Sequence, residues 1–478
     1  MSSKPLLTLQ ELAGQNLLRN EALAIIALED LPILFLPQLL KQAYDGNHCK
    51  VLRSIVSSWP FPRLPLGVLR KRTPYLETQL QVVLEEIDKL LIQKVRPRKY
   101  KLRVLDLRSV GQHYLDVWPG SMDDWLPKTT QADPCCSKTV VTHPLKVAVD
   151  LYLKDRGQSR LFSYLVQWSD RRKGLLQLYC NELQIWSPSH QNYRRLSQKV
   201  SLEHVETLGL HSSCSPSFLL NLAPYLRQMR NLCKLALSNI REENFVSPEK
   251  RRRIITRFTL QLLKLERLQK LHLDAVCFLE GHLDQLLGSV KTSLDDLAVT
   301  HCNLSVSEWN HLSEFPCVSQ LQHLNLENVR LTGLSPEPLR VLLVKAGPTL
   351  VALDLEDCHL EESQLYAILP ALSKCSRLTN SFSFYGNQIS MPAMKDLLHH
   401  TARLIHLRLE LYPVPQDSYD YSGTPHMQRM QQCCDDLMNL LKTIREPGRV
   451  FFGTDRCDQC CNRYIYKKTI MCNCQTSY

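Results

Sequence analysis

The chain has 478 residues, with 58 Lys+Arg against 47 Asp+Glu, 18 Cys, 26 Pro and 16 Gly. Its length fits two or three domains or one repeat array. A hydrophobic fraction of 44% with 22% charged residues excludes wholesale disorder, and the scarcity of glycine argues against folds built on many Gly-rich nucleotide loops.

The net charge of +11 sits in residues 1–200, where 29 basic residues face 18 acidic ones; the remainder balances at 29 and 29. Leucine supplies 87 residues, an excess that asks for a repeat search. The opening MSSKPLLTLQELAG lacks the basic flank, apolar run and small-residue cleavage site of a signal peptide. No stretch approaches the ~18 apolar residues of a membrane span. The reading is an intracellular protein, cytoplasmic or nuclear, with reduced thiols.

In chain order, residues 1–100 read as short helices separated by Pro, a cap for an open hydrophobic end. Residues 101–204 follow as degenerate repeats. They contain the strand signature Leu102–Leu107, an irregular insertion at 118–144, helical signals over Leu145–Trp168 and a strand at Leu178–Ile185. Residues 205–411 carry the unit L-x-x-L-x-L-x-x-(N/C)-x-L. Full copies are Leu294/Leu297/Val299/Cys302/Leu304, Leu321/Leu324/Leu326/Val329/Leu331 and Leu350/Leu353/Leu355/Cys358/Leu360.

In this unit a short strand points alternate side chains inward and strands stack in parallel. The ninth residue turns the chain off the strand: Asn there hydrogen-bonds the neighbouring turn, and Cys fills the space. Helical spacing follows at Leu279–Val290, Pro336–Ala346, Ser363–Leu372 and Pro392–His400. The fold class is therefore α/β: a leucine-rich-repeat solenoid, a ribonuclease-inhibitor-like horseshoe with a helical N-terminal cap. One repeat is irregular, because Leu378 stands one residue too early for Phe382 and Phe384; either Thr379 is buried in its place or a bulge absorbs the extra residue. Residues 412–478 are a C-terminal cap, with an amphipathic helix over 425–446 and a Cys-rich tail.

The segments LAGQNLLRNEALAI (12–25), WPFPRLPLGVL (59–69), KLRVLDLR (101–108), FLEGHLDQLL (278–287), SPEPL (335–339), FYGNQIS (384–390) and LYPVP (411–415) together resemble the PRAME family, related to the preferentially expressed antigen in melanoma. The resemblance runs over nearly the whole chain. It implies leucine-rich repeats, and several members are similar to substrate receptors of cullin-RING ubiquitin ligases. Others are discussed as transcriptional repressors and regulators of differentiation.

Beside that resemblance stand several candidate sites. No nucleotide loop, nucleophile elbow, H-E-x-x-H or RING-type zinc framework is present, so the chain reads as no enzyme. Leu18-x3-Ala22-x3-Ile26 matches an elongin-binding box, with Leu17 where a small residue is usual. Leu31, Pro32, Phe35 and Leu39 match a cullin-2 box, both acting as helices docked in a groove. Together they predict elongin B/C and cullin-2 as partners; the alternatives are a nuclear co-repressor of the retinoic-acid-receptor type and a plain binding protein. The exposed strand positions of the concave face hold nine acids, Asp295, Asp296, Glu327, Asp354, Glu356, Asp357, Glu206, Asp274 and Glu410, against the bases Lys234, Lys270 and Arg408. Such a face would repel phosphates and suits a basic or hydrogen-bond-donating protein substrate.

Basic runs at 70–72, 94–103, 171–173 and 250–253 have no nucleic-acid-binding frame around them. The L-x-x-L-L at Leu437–Leu441 is a candidate docking helix. No cofactor is expected beyond structural zinc on Cys457, Cys460, Cys472 and Cys474, whose two close pairs could close a tetrahedral site.

Overall fold

The computed structural model describes residues 8–67, 69, 78–93, 97–108, 144–153, 160–186, 198–211, 216–240, 247–421, 423–457, 460 and 462–467. The chain divides into two units, residues 1–183 with 189–205, and residues 184–188 with 206–478.

In the first unit the elements are α1 (Leu9–Leu18), α2 (Glu21–Ala27), α3 (Leu36–Asp45), α4 (Cys49–Ser57), β1 (Arg63–Pro65), α5 (Thr78–Ile92), β2 (Val104–Asp106), β3 (Leu145–Leu153), α6 (Arg160–Arg171), β4 (Leu176–Ile185) and β5 (Val200–Ser201). β1, β2 and β3 pair in parallel, as do β4 and β5. The expected helix over Leu145–Trp168 is corrected in its first half. Leu145, Val147, Val149, Leu151 and Leu153 are all buried, a period of two that makes a strand, and the helix begins only at Arg160. Asp88 of α5 accepts hydrogen bonds from Trp168 Nε1 at 2.5 Å and Arg172 Nε at 2.8 Å, tying α5 to α6. The insertion at 118–144 lies, but for Pro144, outside the described residues.

The second unit repeats one motif: strand, left-handed turn, helix. Its strands are β6 (Thr207–Leu210), β7 (Lys234–Ser238), β8 (Lys270–Asp274), β9 (Asp296–Thr300), β10 (His323–Asn325), β11 (Ala352–Asp354), β12 (Ser381–Ser383), β13 (Leu409–Pro413) and β14 (Arg449–Gly453). They pair in parallel in chain order. Between them lie α7 (Pro216–Leu226), α8 (Pro248–Leu262), α9 (Leu283–Gly288), α10 (Val306–Leu312), α11 (Glu337–Ala346), α12 (Glu362–Leu372), α13 (Met391–His400) and α14 (Met427–Ile444).

The register explains the leucine spacing. Leu271, Leu297, Leu324, Leu353 and Phe382 pair one with the next across β8–β12, and all are buried. Fully burying one such side chain stabilises by about 1.5–3 kcal/mol. After β7 to β12 the chain turns off the strand through a left-handed residue: Asn239, Ala275, His301, Asn328 and Asp357, with φ between 48° and 56°, and Gly386 at 67°. Gly386 is required twice over, since a Cβ there would also lie 1.6 Å from Asp357 Oδ1.

The ninth position works as its chemistry predicts. Asn387 Nδ2 donates to Leu355 O at 2.8 Å while its Oδ1 accepts from Leu360 N at 3.0 Å. Cys358 Sγ sits 3.1 Å from Leu326 O; burial pushes its thiol far up, and that of Cys302 up to about 11, so both are packing residues. In the irregular repeat Leu378 keeps the buried position and Thr379 is half-buried. The amides of Thr379 and Asn380 both donate to Val351 O, as the amides of Val351 and Ala352 do to Gln322 O, while Phe382 still pairs with Leu353, so the extra residue is taken up between Asn380 and Phe382.

Candidate functional site

The candidate residues at the N-terminus fall on two helices rather than one. Thr8 and Glu11 form a reciprocal capping box that starts α1. Asn20, a strong N-cap residue, then accepts from Leu23 N at 3.1 Å and starts α2. This break corrects the expected box. Leu18 ends α1 and is buried, whereas Ala22 and Ile26 lie on the exposed face of α2, Ile26 at 70% exposure.

The two boxes nevertheless meet. Leu17 of α1 joins Leu31, Phe35 and Leu39 in one apolar pocket of about 70 Å³, completed by Ala13, Gly14 and the amides of Gln10, Gln38 and Gln42. Gln42 Nε2 donates to Glu11 O at 2.8 Å, fixing α3 against α1. Pro32 is exposed beside it. Among the described residues, seven of the sixteen exposed large apolar side chains lie within residues 9–35: Leu9, Leu12, Leu23, Ile26, Ile33, Leu34 and Phe35. Scattered exposed leucines are ordinary, and this concentration in one short segment is the densest run of them among the described residues.

The acidic strand positions look different. Glu327 and Glu356 follow β10 and β11 at equivalent places, because Asn325 Oδ1 and Asp354 Oδ1 accept from their amides at 2.7 and 3.0 Å. Sequence counting expected a bare acidic face there, and the structure corrects this. Arg456 contacts Glu327 at 2.7 Å, Glu356 at 2.5 Å and Asp357 at 3.1 Å. Arg463 contacts Asp357 at 2.7 Å and Glu356 at 3.0 Å.

Burial alone would raise Glu356, but the two arginines outweigh it and hold its carboxyl below the ordinary range. Asp354 has no such help: burial, then repulsion from Glu356 and Glu327, raises it to about 6. Asp296 lies 3.0 Å from His272 Nε2 and Asp274 2.9 Å from His301 Nδ1, so histidines omitted from the charge count also offset this face when protonated. Asp295 is half-buried at the start of β9.

Glu410 is a second correction. In the β12–β13 register it pairs with Phe382, so it points into the core, where it is fully buried. A one-residue shift in register exchanges the two faces of a strand. Its carboxylate accepts from Arg445 Nη1 at 2.8 Å, from Arg445 Nη2, and from the Tyr412 hydroxyl at 2.8 Å.

The tail segment turns back on β14. Gly453 bridges Ile465 in antiparallel fashion, Thr454 N donates to Tyr464 O at 3.0 Å, and Cys457 N donates to Asn462 O at 2.9 Å. Cys457 and Cys460 thus lie toward the tip of this turn, while Cys472 and Cys474 are outside the described residues. Leu437 and Leu441 are buried, which removes that docking helix. Of the basic runs, Arg251 donates to the carbonyls of Phe278 and Glu280 at 2.8 and 2.9 Å, and Arg172 pairs with Asp88. Both are structural contacts.

Fold and surfaces together define an α/β repeat protein with a cluster of exposed apolar side chains in one unit and an internally paired acidic row in the other. Models of the PRAME N-terminal domain and PRAME C-terminal domain match residues 6–115 and 145–475. Human PRAME family member 20 is 44% identical over 464 residues, 96% of each chain, and human PRAME family member 7 is 44% identical over 461 residues, again 96% of each. Mouse preferentially expressed antigen in melanoma-like protein 1 is 45% identical over 463 residues, 95% of this chain and 96% of that one.

The chain belongs to the PRAME family. Among solved structures, that of the yeast Rad7 and Elc1 complex gives a TM-score of 0.35 at 19% identity, covering 53% of this chain and 62% of that one, a likeness too distant to carry an argument. Among the described residues no helix is long and apolar enough to cross a membrane.

Proposed function

We propose that this protein is the non-catalytic substrate-recognition adaptor of a cullin-RING ubiquitin ligase. In this reading the second unit is a leucine-rich-repeat horseshoe holding a target protein on its strand face. The N-terminal patch docks elongin B/C and cullin-2, and the target is degraded after ubiquitin transfer. Tethering raises the target's effective concentration near the transfer site without any chemistry by this chain.

The single observation that supports the reading most is the concentration of exposed apolar side chains and the Leu17/Leu31/Phe35/Leu39 pocket within one short N-terminal segment. Such surface remains exposed to water at a cost in solubility and is commonly covered by a partner. Leu18 is a poor test residue because it is buried; Leu18→Asp would place a charge in the helix core. The exposed residues test docking directly. Co-purification of the full chain should bring down elongin and cullin, and Ile26→Asp with Leu34→Asp should abolish this while leaving thermal unfolding unchanged. Recovery of bound target proteins without elongin or cullin would defeat the proposal.

A further inference from the structure

The acidic row and the tail that covers it have a consequence of their own. Three carboxylates, Glu327, Glu356 and Asp357, are gathered at the turns after β10 and β11 and meet two guanidinium groups from the tail. The two arginines are held very differently. The Arg463 side chain is 8% exposed; it donates to Thr454 O at 2.8 Å and lies over the Tyr385 ring at 5.3 Å. The Arg456 side chain is 40% exposed although it touches all three acids. Beneath them, Tyr385 is 6% exposed, and its hydroxyl has no partner among the described residues. The closed arrangement therefore leaves a polar group buried and unsatisfied, and sets three negative charges against two positive ones.

We propose that residues 454–457 form a displaceable strap, and that the acidic row beneath Arg456 is a recognition site for an arginine-bearing segment of a partner protein. Arg456 is the resident occupant, and the partner's arginine takes its place. A guanidinium fits better than an ammonium, because its planar fork reaches two carboxylates at once. Arg463, buried on Tyr385, is the fixed part of the site, and Arg456 the exchangeable part. The inference rests on the adaptor reading only in taking this face as the target surface.

The test uses the full chain and two labelled probes, a hexa-arginine and a hexa-lysine peptide, with fluorescence anisotropy at about 0.15 M ionic strength. Arg456→Ala removes an exposed side chain, and its melting curve should match that of the unaltered protein. If the strap is closed in nine molecules of ten, that variant should bind hexa-arginine about tenfold more tightly, with a smaller gain for hexa-lysine. Adding Glu356→Gln should reverse the gain. Hydrogen exchange at the Thr454 and Tyr464 amides should quicken in Arg456→Ala, and in the unaltered protein on adding hexa-arginine. Equal affinity of Arg456→Ala and the unaltered protein for hexa-arginine, an equal gain for both peptides, or unchanged exchange at those amides would each overturn the proposal. Peptide binding is measured without elongin or cullin, so failure of the docking experiment leaves this test standing, and failure here leaves docking untouched.

Discussion

The N-terminal helices and the C-terminal strands handle surface energy in opposite ways. Among the described residues, seven large apolar side chains of residues 9–35 stay exposed. Around β10–β14 nearly every acid that the strands present is matched by a cation from far along the sequence: Glu327 by Arg456, Glu356 and Asp357 by Arg456 and Arg463, Glu410 by Arg445. The contrast teaches that exposed apolar area is the better pointer to an unfilled interface. Charge can be neutralised from within by a flexible side chain, whereas a greasy helix face needs a whole packed surface to cover it.

Breaking the internal pairing where it is deepest should have the largest effect. Arg445→Leu leaves Glu410 buried without its cation, and loss of one member of such a pair costs about 3–5 kcal/mol. Urea unfolding should show that loss, whereas Arg456→Leu, at a half-exposed site, should cost less than about 1 kcal/mol. Similar losses for the two would mean that depth of burial does not separate them. On the apolar side the order reverses. Ile26→Asp should weaken partner docking by about 2 kcal/mol or more, as for a central anchor, and change unfolding by no more than about 0.5 kcal/mol. A large stability loss would show that the patch is packed against this chain after all.

Much of the fold was legible because the repeat states its own geometry. The leucines of β8–β11 and the helices after them stand where period and spacing put them. The turn residues Asn387 and Cys358 make the contacts their side chains allow. Two errors came from period and register. The helical spacing expected over Leu145–Leu153 competes with an apolar alternation of period two at Leu145, Val147, Val149, Leu151 and Leu153, and the alternation wins as β3. Glu410 reads as an outer-face residue in the sequence because Leu404, Leu407 and Leu409 mimic the repeat three residues out of phase, an odd shift that exchanges the faces. The ion pairs were beyond reach for another reason: Arg456 lies 129 residues from Glu327, and no local pattern announces a tail that folds back over strands so distant in sequence. Signals were nonetheless available for two features. Asn20 is a cap residue that splits the expected elongin box, and His272 and His301 stand in or beside the same strands as the acids they meet.

Asp354 gives the smallest and most specific comparison, since it is the acid of the row that no arginine reaches in the contacts described. Burial and its acidic neighbours raise it from an ordinary 3.8 to about 6. A raised carboxyl favours the folded state while it is protonated, so its contribution is fully present below about pH 4 and is lost as pH climbs through about 6. Asp354→Asn keeps the acceptor that holds Glu356 N and removes the titration. The variant should match the unaltered protein near pH 4 and exceed it at pH 7–8, read from urea midpoints across that range. A difference that does not change with pH would mean that Asp354 titrates normally and that the tail's two arginines neutralise the whole row, including the acid they do not touch.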